Sequence, residues 1–247
     1  MDNENENKNL VIWGRNPIIE ALKEGKGLEK ILIAHDSNVP KELLKLAEQR
    51  KVKVQRVPRK KVEELAKTKK TQGVVAIVSP IEYWDENKLI DKIVKENGIL
   101  LVLDHITDPQ NIGNLIRTAE VLGVSGVVLP KERSSPINEV VVKASTGAVF
   151  HIPIAKTNSL SNFLRKFKKE GGWVVAVEKG GKEIHKLNYP FPLAVVLGSE
   201  GKGVSKSVLK EADLIATIPM QGKITSLNVS SAGAIGLWEI AKQKFGY

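Results

Sequence analysis

An α/β fold is predicted for this chain: a parallel sheet wrapped by helices in the C-terminal part, preceded by a smaller α/β unit. Three observations predict it. From Gly98 to the end, apolar runs of strand length alternate with amphipathic helical segments, the pattern that builds parallel sheets. The run GILLVLDHI is continuously apolar from Gly98 to Leu103, as strands buried on both faces of such a sheet are. A shorter alternation fills residues 1–80, and a more acidic stretch separates the two.

Taken in order, GRNPIIEALKEGKG reads as a helix with Asn16 as N-cap, Pro17 in the first turn and Gly25 or Gly27 beyond its end. KILIAH reads as a strand, PKELLKLAEQRK as a helix, VKVQRVP as a strand, KKVEELAKT as a helix and GVVAIVS as a buried strand. This unit, 1–80, holds many lysines and arginines and few side chains suited to catalysis, which suits a binding module. Residues 81–97 read as a linker leading into a helix, with a short amphipathic pattern in NKLIDKIVKEN. In the unit 98–247, GILLVLDHI is followed by helix NIGNLIRTAEVLG, strand GVVLP, helix NEVVVKAST, strand HIPIA and helix LSNFLRKFKKEG. Strands WVVAVEK and PLAVVLG come next, and helix LNVSSAGAIGLWEIAKQK closes the chain.

Composition narrows the function classes. The 247 residues include no cysteine, which excludes a disulfide framework, a thiolate metal site and a cysteine nucleophile together. Histidines at 35, 105, 151 and 185 show no close metal-ligand spacing, so no metal is expected. No apolar run approaches the roughly 20 residues of a membrane helix, and a soluble, cytoplasmic protein without membrane attachment is the expectation. The formal charge of +10 favours a polyanionic partner. Much of it sits in Arg50–Lys70, where ten basic residues face only Glu63 and Glu64.

Parallel sheets bind ligands at the carboxyl ends of their strands, which directs attention to three loops. The first, DHITDPQNIGNLIRTA, carries Asn111, Gly113 and Arg117. Asn111 can cap the helix, and Arg117 lies about 120° around the helix axis from it. The second, VLGSEGKGVS, sets Glu200 among Gly198, Gly201 and Gly203. Its spacing fits neither the P-loop, which ends in Gly-Lys-Ser/Thr, nor the dinucleotide fingerprint. The third, IPMQGKITSLNVSSAGAIG, brings Ser226 and Asn228 to the start of the last helix. Asparagine and serine also cap helices routinely; what singles these residues out is three such loops converging on one sheet edge.

The runs D-P-x-N-x-G-x-x-x-R-T-A, L-G-x-E-G-x-G and I-P-M-…-S-L-N-V-S, over Asp108–Ala119, Leu197–Gly203 and Ile218–Ser230, resemble the three signature motifs of the SpoU (TrmH) family of RNA ribose 2′-O-methyltransferases. KASTGAVFHIPI is similar to the segment joining the first two. GRNPIIEAL and QGVVA resemble the ribosomal-protein-like RNA-binding domain of the bacterial subgroup that methylates a guanosine in 23S rRNA, with Thr71 where that subgroup often has histidine. The resemblance implies a C-terminal domain tied in a deep trefoil knot, a homodimer with its active site at the interface, and S-adenosylmethionine as co-substrate. Leu197, Gly198, Ile218, Met220 and Leu227 would cradle that co-substrate through backbone groups. Arg117 would serve the ribose 2′-hydroxyl, either as the base or by holding the adjacent phosphate and a developing alkoxide. Asn111 and Glu200 would orient Arg117 and the ribose, and Ser226 and Asn228 would shape the nucleotide site. The resemblance points to ribosomal RNA as substrate, with transfer RNA, or RNA binding without chemistry, as the alternatives.

Overall fold

A computed structural model describes residues 9–246, in two compact units. The first unit runs to Glu82 and adds Ile137–His151 from later in the chain; the second takes Tyr83–Pro136 and the chain from Ile152 onwards.

The first unit opens with β1 (Leu10–Trp13), a four-residue strand that the sequence reading passed over. α1 (Arg15–Lys23), β2 (Leu28–Ala34), α2 (Lys41–Gln49), β3 (Lys53–Val57), α3 (Arg59–Ala66) and β4 (Val74–Val78) follow. The sheet order is β1-β4-β2-β3, with β4 antiparallel to both neighbours and β2 parallel to β3. Leu32, Ala34, Val57, Val62, Ala66 and Val75 form a core under α3. β3 exposes four of its five residues at the sheet edge, and charged edge strands of this kind resist pairing with other chains. The expected cap Asn16 lies inside α1. Gly14 takes the cap position at φ 91°, a left-handed value that favours glycine.

The second unit is built on α4 (Glu86–Lys95), β5 (Ile99–Asp104), α5 (Pro109–Val121) and β6 (Gly126–Pro130). Between β6 and the next strand the chain gives α6 (Glu139–Ala144) to the first unit, where it packs with β1. The sequence reading had kept this helix in the C-terminal unit. β7 (Ile154–Thr157), α7 (Leu160–Lys169), β8 (Trp173–Glu183), β9 (Leu193–Gly198), α8 (Lys206–Leu209), β10 (Leu214–Thr217) and α9 (Val229–Phe245) complete it. Its six strands are all parallel, in the order β10-β8-β9-β5-β6-β7. β5 lies between β9 and β6 with all six residues buried, as its unbroken apolar run requires.

Phe163, Leu164 and Phe167 of α7 pack with Leu89, Ile90 and Ile93 of α4 over Val102, Val128 and Val196 of the sheet. α9 packs on α5 and β9. Gly233 permits that approach, since a Cβ there would collide with Leu115 of α5 and Leu197 of β9. Asp104 and Gly198 are register partners at the ends of β5 and β9, so the loops that follow them leave the same edge of the sheet.

Candidate active site

Each of the three loops is held by its own local chemistry. Asp108, not Asn111, caps α5, accepting from the amides of Gln110 (3.1 Å) and Asn111 (3.3 Å). Asn228, not Ser226, caps α9: its Oδ1 accepts from the Ser230 (2.9 Å) and Ser231 (3.4 Å) amides. Gly198 touches the far side of its own loop, and a Cβ there would fall within the backbone of Gly203 and Val204. The Gly203 amide closes this turn on the Ser199 carbonyl at 2.9 Å.

With Asp108 capping α5, the Asn111 side chain is released for other bonds. Its Nδ2 donates to Glu200 Oε1 at 3.2 Å, and its Oδ1 accepts from Asn228 Nδ2 at 3.0 Å. Asn228 Nδ2 also donates to Glu200 Oε1 at 2.7 Å, and the Val229 amide reaches the same oxygen at 3.3 Å. One carboxylate oxygen thus joins all three loops by accepting from three donors. Glu200 Oε2 accepts no hydrogen bond among the described residues and remains open to a ligand.

Beside this network lies a cavity of about 410 Å³. Leu197, Gly198, Ile218, Met220 and Leu227 all line it, as do Glu200 and Ser226. Asn111 and Asn228 stand behind it, tied in through Glu200. Arg117 does not join them. It lies exposed on α5, about 9 Å along the axis from Asn111 at helical rise, with no hydrogen bond or ion pair among the described residues. It is not among the residues that line the cavity of its own chain.

Residues 98–238 match the SpoU rRNA Methylase family model, more than half of the chain. The chain belongs to the SpoU rRNA methylase family. Residues 11–84 match a second model, that of the RNA 2′-O ribose methyltransferase substrate-binding domain. YacO of Bacillus subtilis, assigned by name to the TrmH family of tRNA/rRNA methyltransferases, is 36% identical over 238 residues, 94% of this chain and 95% of the relative. The AdoMet-bound rRNA methyltransferase of Sinorhizobium meliloti shares the structure at TM-score 0.80 and 29% identity, covering 96% of this chain and 88% of that one. AviRb of Streptomyces viridochromogenes, solved with AdoMet, matches at TM-score 0.81 over 97% of this chain and 92% of its own. At 22% identity that likeness is one of fold.

Two carboxylates of this SpoU methylase escaped the sequence reading. Glu178, on β8, lines the cavity and accepts from the Val204 amide at 2.8 Å through Oε2. A Cβ on Gly203, at φ 67°, would collide with that carboxylate. Asp104, 1% exposed, accepts from the Ser205 amide at 2.6 Å and pairs with His105 Nδ1. Glu178 and Asp104 thus hold two adjacent amides, those of Val204 and Ser205, where the SpoU glycine loop ends. A signal for both was present: each is an acid near the carboxyl end of an apolar strand, where parallel sheets bind ligands. Among the described residues no three His, Asp or Glu side chains gather as metal ligands, and no helix is long and apolar enough to cross a membrane.

Proposed function

We propose that the chain transfers a methyl group from S-adenosylmethionine to a ribose 2′-hydroxyl of 23S rRNA, a guanosine by resemblance, and that it does so in the cytoplasm as a homodimer. The observation that carries this reading is the cavity itself, in which all five residues expected at the co-substrate lie together beside the Glu200 network. Its volume falls in the range of small-molecule sites. Gly198 and Gly203 bring backbone to its wall where side chains could not fit, which suits a ligand recognised through main-chain groups. S-adenosylmethionine bound there supplies an electrophilic methyl group on a sulfonium sulfur.

The chain's own residues then have to position the hydroxyl and manage its proton. Positioning alone can contribute a large part of the rate. Glu200 Oε2 is available to accept from a ribose hydroxyl, with Asn111 and Asn228 fixing the carboxylate. Arginine stays protonated above pH 12, so Arg117 serves better as a cation beside the phosphate and the developing alkoxide than as the base. The proton passes to water or phosphate.

Arg117 lies outside the cavity of its own chain, and a dimer gives it a place: Arg117 of one protomer faces the cavity of its partner. Val121 on α5 and Ile235 on α9, 71% and 43% exposed, supply apolar surface on the two helices that pack together. The family's trefoil knot belongs to this reading, and the strand order around β5 and β9 is compatible with it. Ribosomal RNA is favoured because the neighbour named as an rRNA methyltransferase matches nearly the whole chain, with both units represented. Purified protein, labelled S-adenosylmethionine and a mixture of unmodified 23S rRNA fragments and tRNA test the choice. Label recovered in the rRNA fragments is the expected result; label in tRNA alone would transfer the reading to the tRNA branch of the family.

A further inference from the structure

Two cations of the first unit lie outside the basic stretch Arg50–Lys70, and no acid answers either of them. Lys143, on α6, places its ammonium against Gly14, where an added Cβ would collide with it. The side-chain carbonyl oxygen of Gln72 lies 3.1 Å from the same point. Among the described residues Lys143 makes no hydrogen bond and no ion pair. Burial holds its pKa below the usual lysine value, with no acid to offset the effect.

Arg15 begins α1. Its Nη2 donates to the Asn38 carbonyl at 2.7 Å, while its Nε is buried with no partner. Its amide donates to Gln72 Oε1 at 2.8 Å. The next amide, that of Asn16, has no acceptor within the helix, as the first amides of any helix have none, and Gly14 offers no side chain to cap it. The nearest acids on α1 are already engaged: Glu20 with His151 (2.8 Å) and Lys23 (3.2 Å), and Glu24 with His151 at 3.0 Å.

A desolvated cation without a counter-charge costs stability; among the described residues Lys143 has neither counter-charge nor hydrogen bond, and Arg15 has the Asn38 carbonyl but no acid. We propose that Lys143 and Arg15, with the first turn of α1, form a subsite for one phosphodiester group of the substrate RNA. The proposal rests on the RNA methyltransferase reading and gives it a location. It also explains why a segment from within the methylase match, residues 137–151, folds into the unit that carries the substrate-binding match.

The test is the affinity of the full chain for a 23S rRNA fragment across a range of salt concentrations, for wild type, Lys143→Met, Arg15→Gln and Lys143→Arg. Loss of one phosphate contact lowers the slope of log affinity against log salt by about one. Lys143→Met and Arg15→Gln should each show that loss, with affinity weakened several-fold, S-adenosylmethionine affinity unchanged and melting temperature maintained. Lys143→Arg should restore the slope. Wild-type slopes in both neutral variants would overturn the subsite alone. Weaker binding at an unchanged slope would also overturn it, by marking a structural effect. A wild-type protein that binds no RNA would overturn the substrate reading and the subsite together.

Discussion

Glu200 Oε1 is the one atom that ties all three loops together, accepting from Asn111, Asn228 and Val229. Replacing Glu200 with alanine leaves the Asn111 amide, in a largely buried residue, without its acceptor. Methyl transfer should fall by about a hundredfold or more, as when a preorganised polar group is removed from a reacting centre, with about 1 kcal/mol of stability lost in denaturant unfolding. Arg117 should behave differently. Arg117→Ala should lower turnover to a similar degree while equilibrium binding of S-adenosylmethionine stays within about twofold of wild type, because the cavity is lined by other residues; unchanged turnover would remove it from the mechanism. Glu178→Ala frees the Val204 amide and should weaken S-adenosylmethionine binding without altering RNA affinity. Much of the site was legible in the sequence because glycines and caps leave marks in spacing. Gly198 announces a close approach, and an asparagine before an apolar run announces a helix start. Glu178 left only its place after an apolar run, and Lys143 left no mark. Their roles come from what the fold sets beside them, the Val204 amide for one and Gly14 for the other.

Elements of the second unit that are buried on both faces were the easiest to read. β6 and β9 are apolar throughout, β5 is apolar as far as Leu103, and their helical neighbours carry a regular apolar stripe. Phe163 and Phe167 on α7 are fully buried, and Phe163→Ala should cost about 3–5 kcal/mol in denaturant unfolding; a value under 1 kcal/mol would contradict the packing described for α7. The elements missed were short. β1 and β10 have four residues each and α8 has four, too few for a period to show. β10 is recognisable as a strand only through its pairing with β8, which runs on to Glu183 through a register shift. The cap of α9 was among the candidates as Asn228, but those of α1 and α5 were placed two or three residues late, at Asn16 and Asn111, for a related reason. Asp108, Asn111, Ser226 and Asn228 are all competent caps by residue type, and only backbone geometry separates those that cap from those that do not. The assignment of α6 failed on a different ground. Regular βα alternation places it with its sequence neighbours, whereas its apolar face is buried against β1.

The whole chain consists of a basic unit matched to RNA substrate binding and a parallel-sheet unit holding a cavity at its strand ends. Sedimentation should return a dimer. Ile235→Asp, which sets a carboxylate in the exposed apolar surface of α9, should shift it towards monomer and reduce turnover in parallel; a fully active monomer would contradict a shared site. Deletion of residues 1–80 should lower RNA affinity and its salt dependence, judged by titration of the rRNA fragment. The claim beneath these expectations is that the cavity between the glycine loop and the start of α9 takes S-adenosylmethionine. Calorimetric titration of that compound into wild type and Gly198→Val tests it most directly. Saturable binding of one molecule per chain, abolished by the valine in a protein that remains folded, is the expected result. No uptake by the wild type, or undiminished uptake by the folded variant, would contradict it.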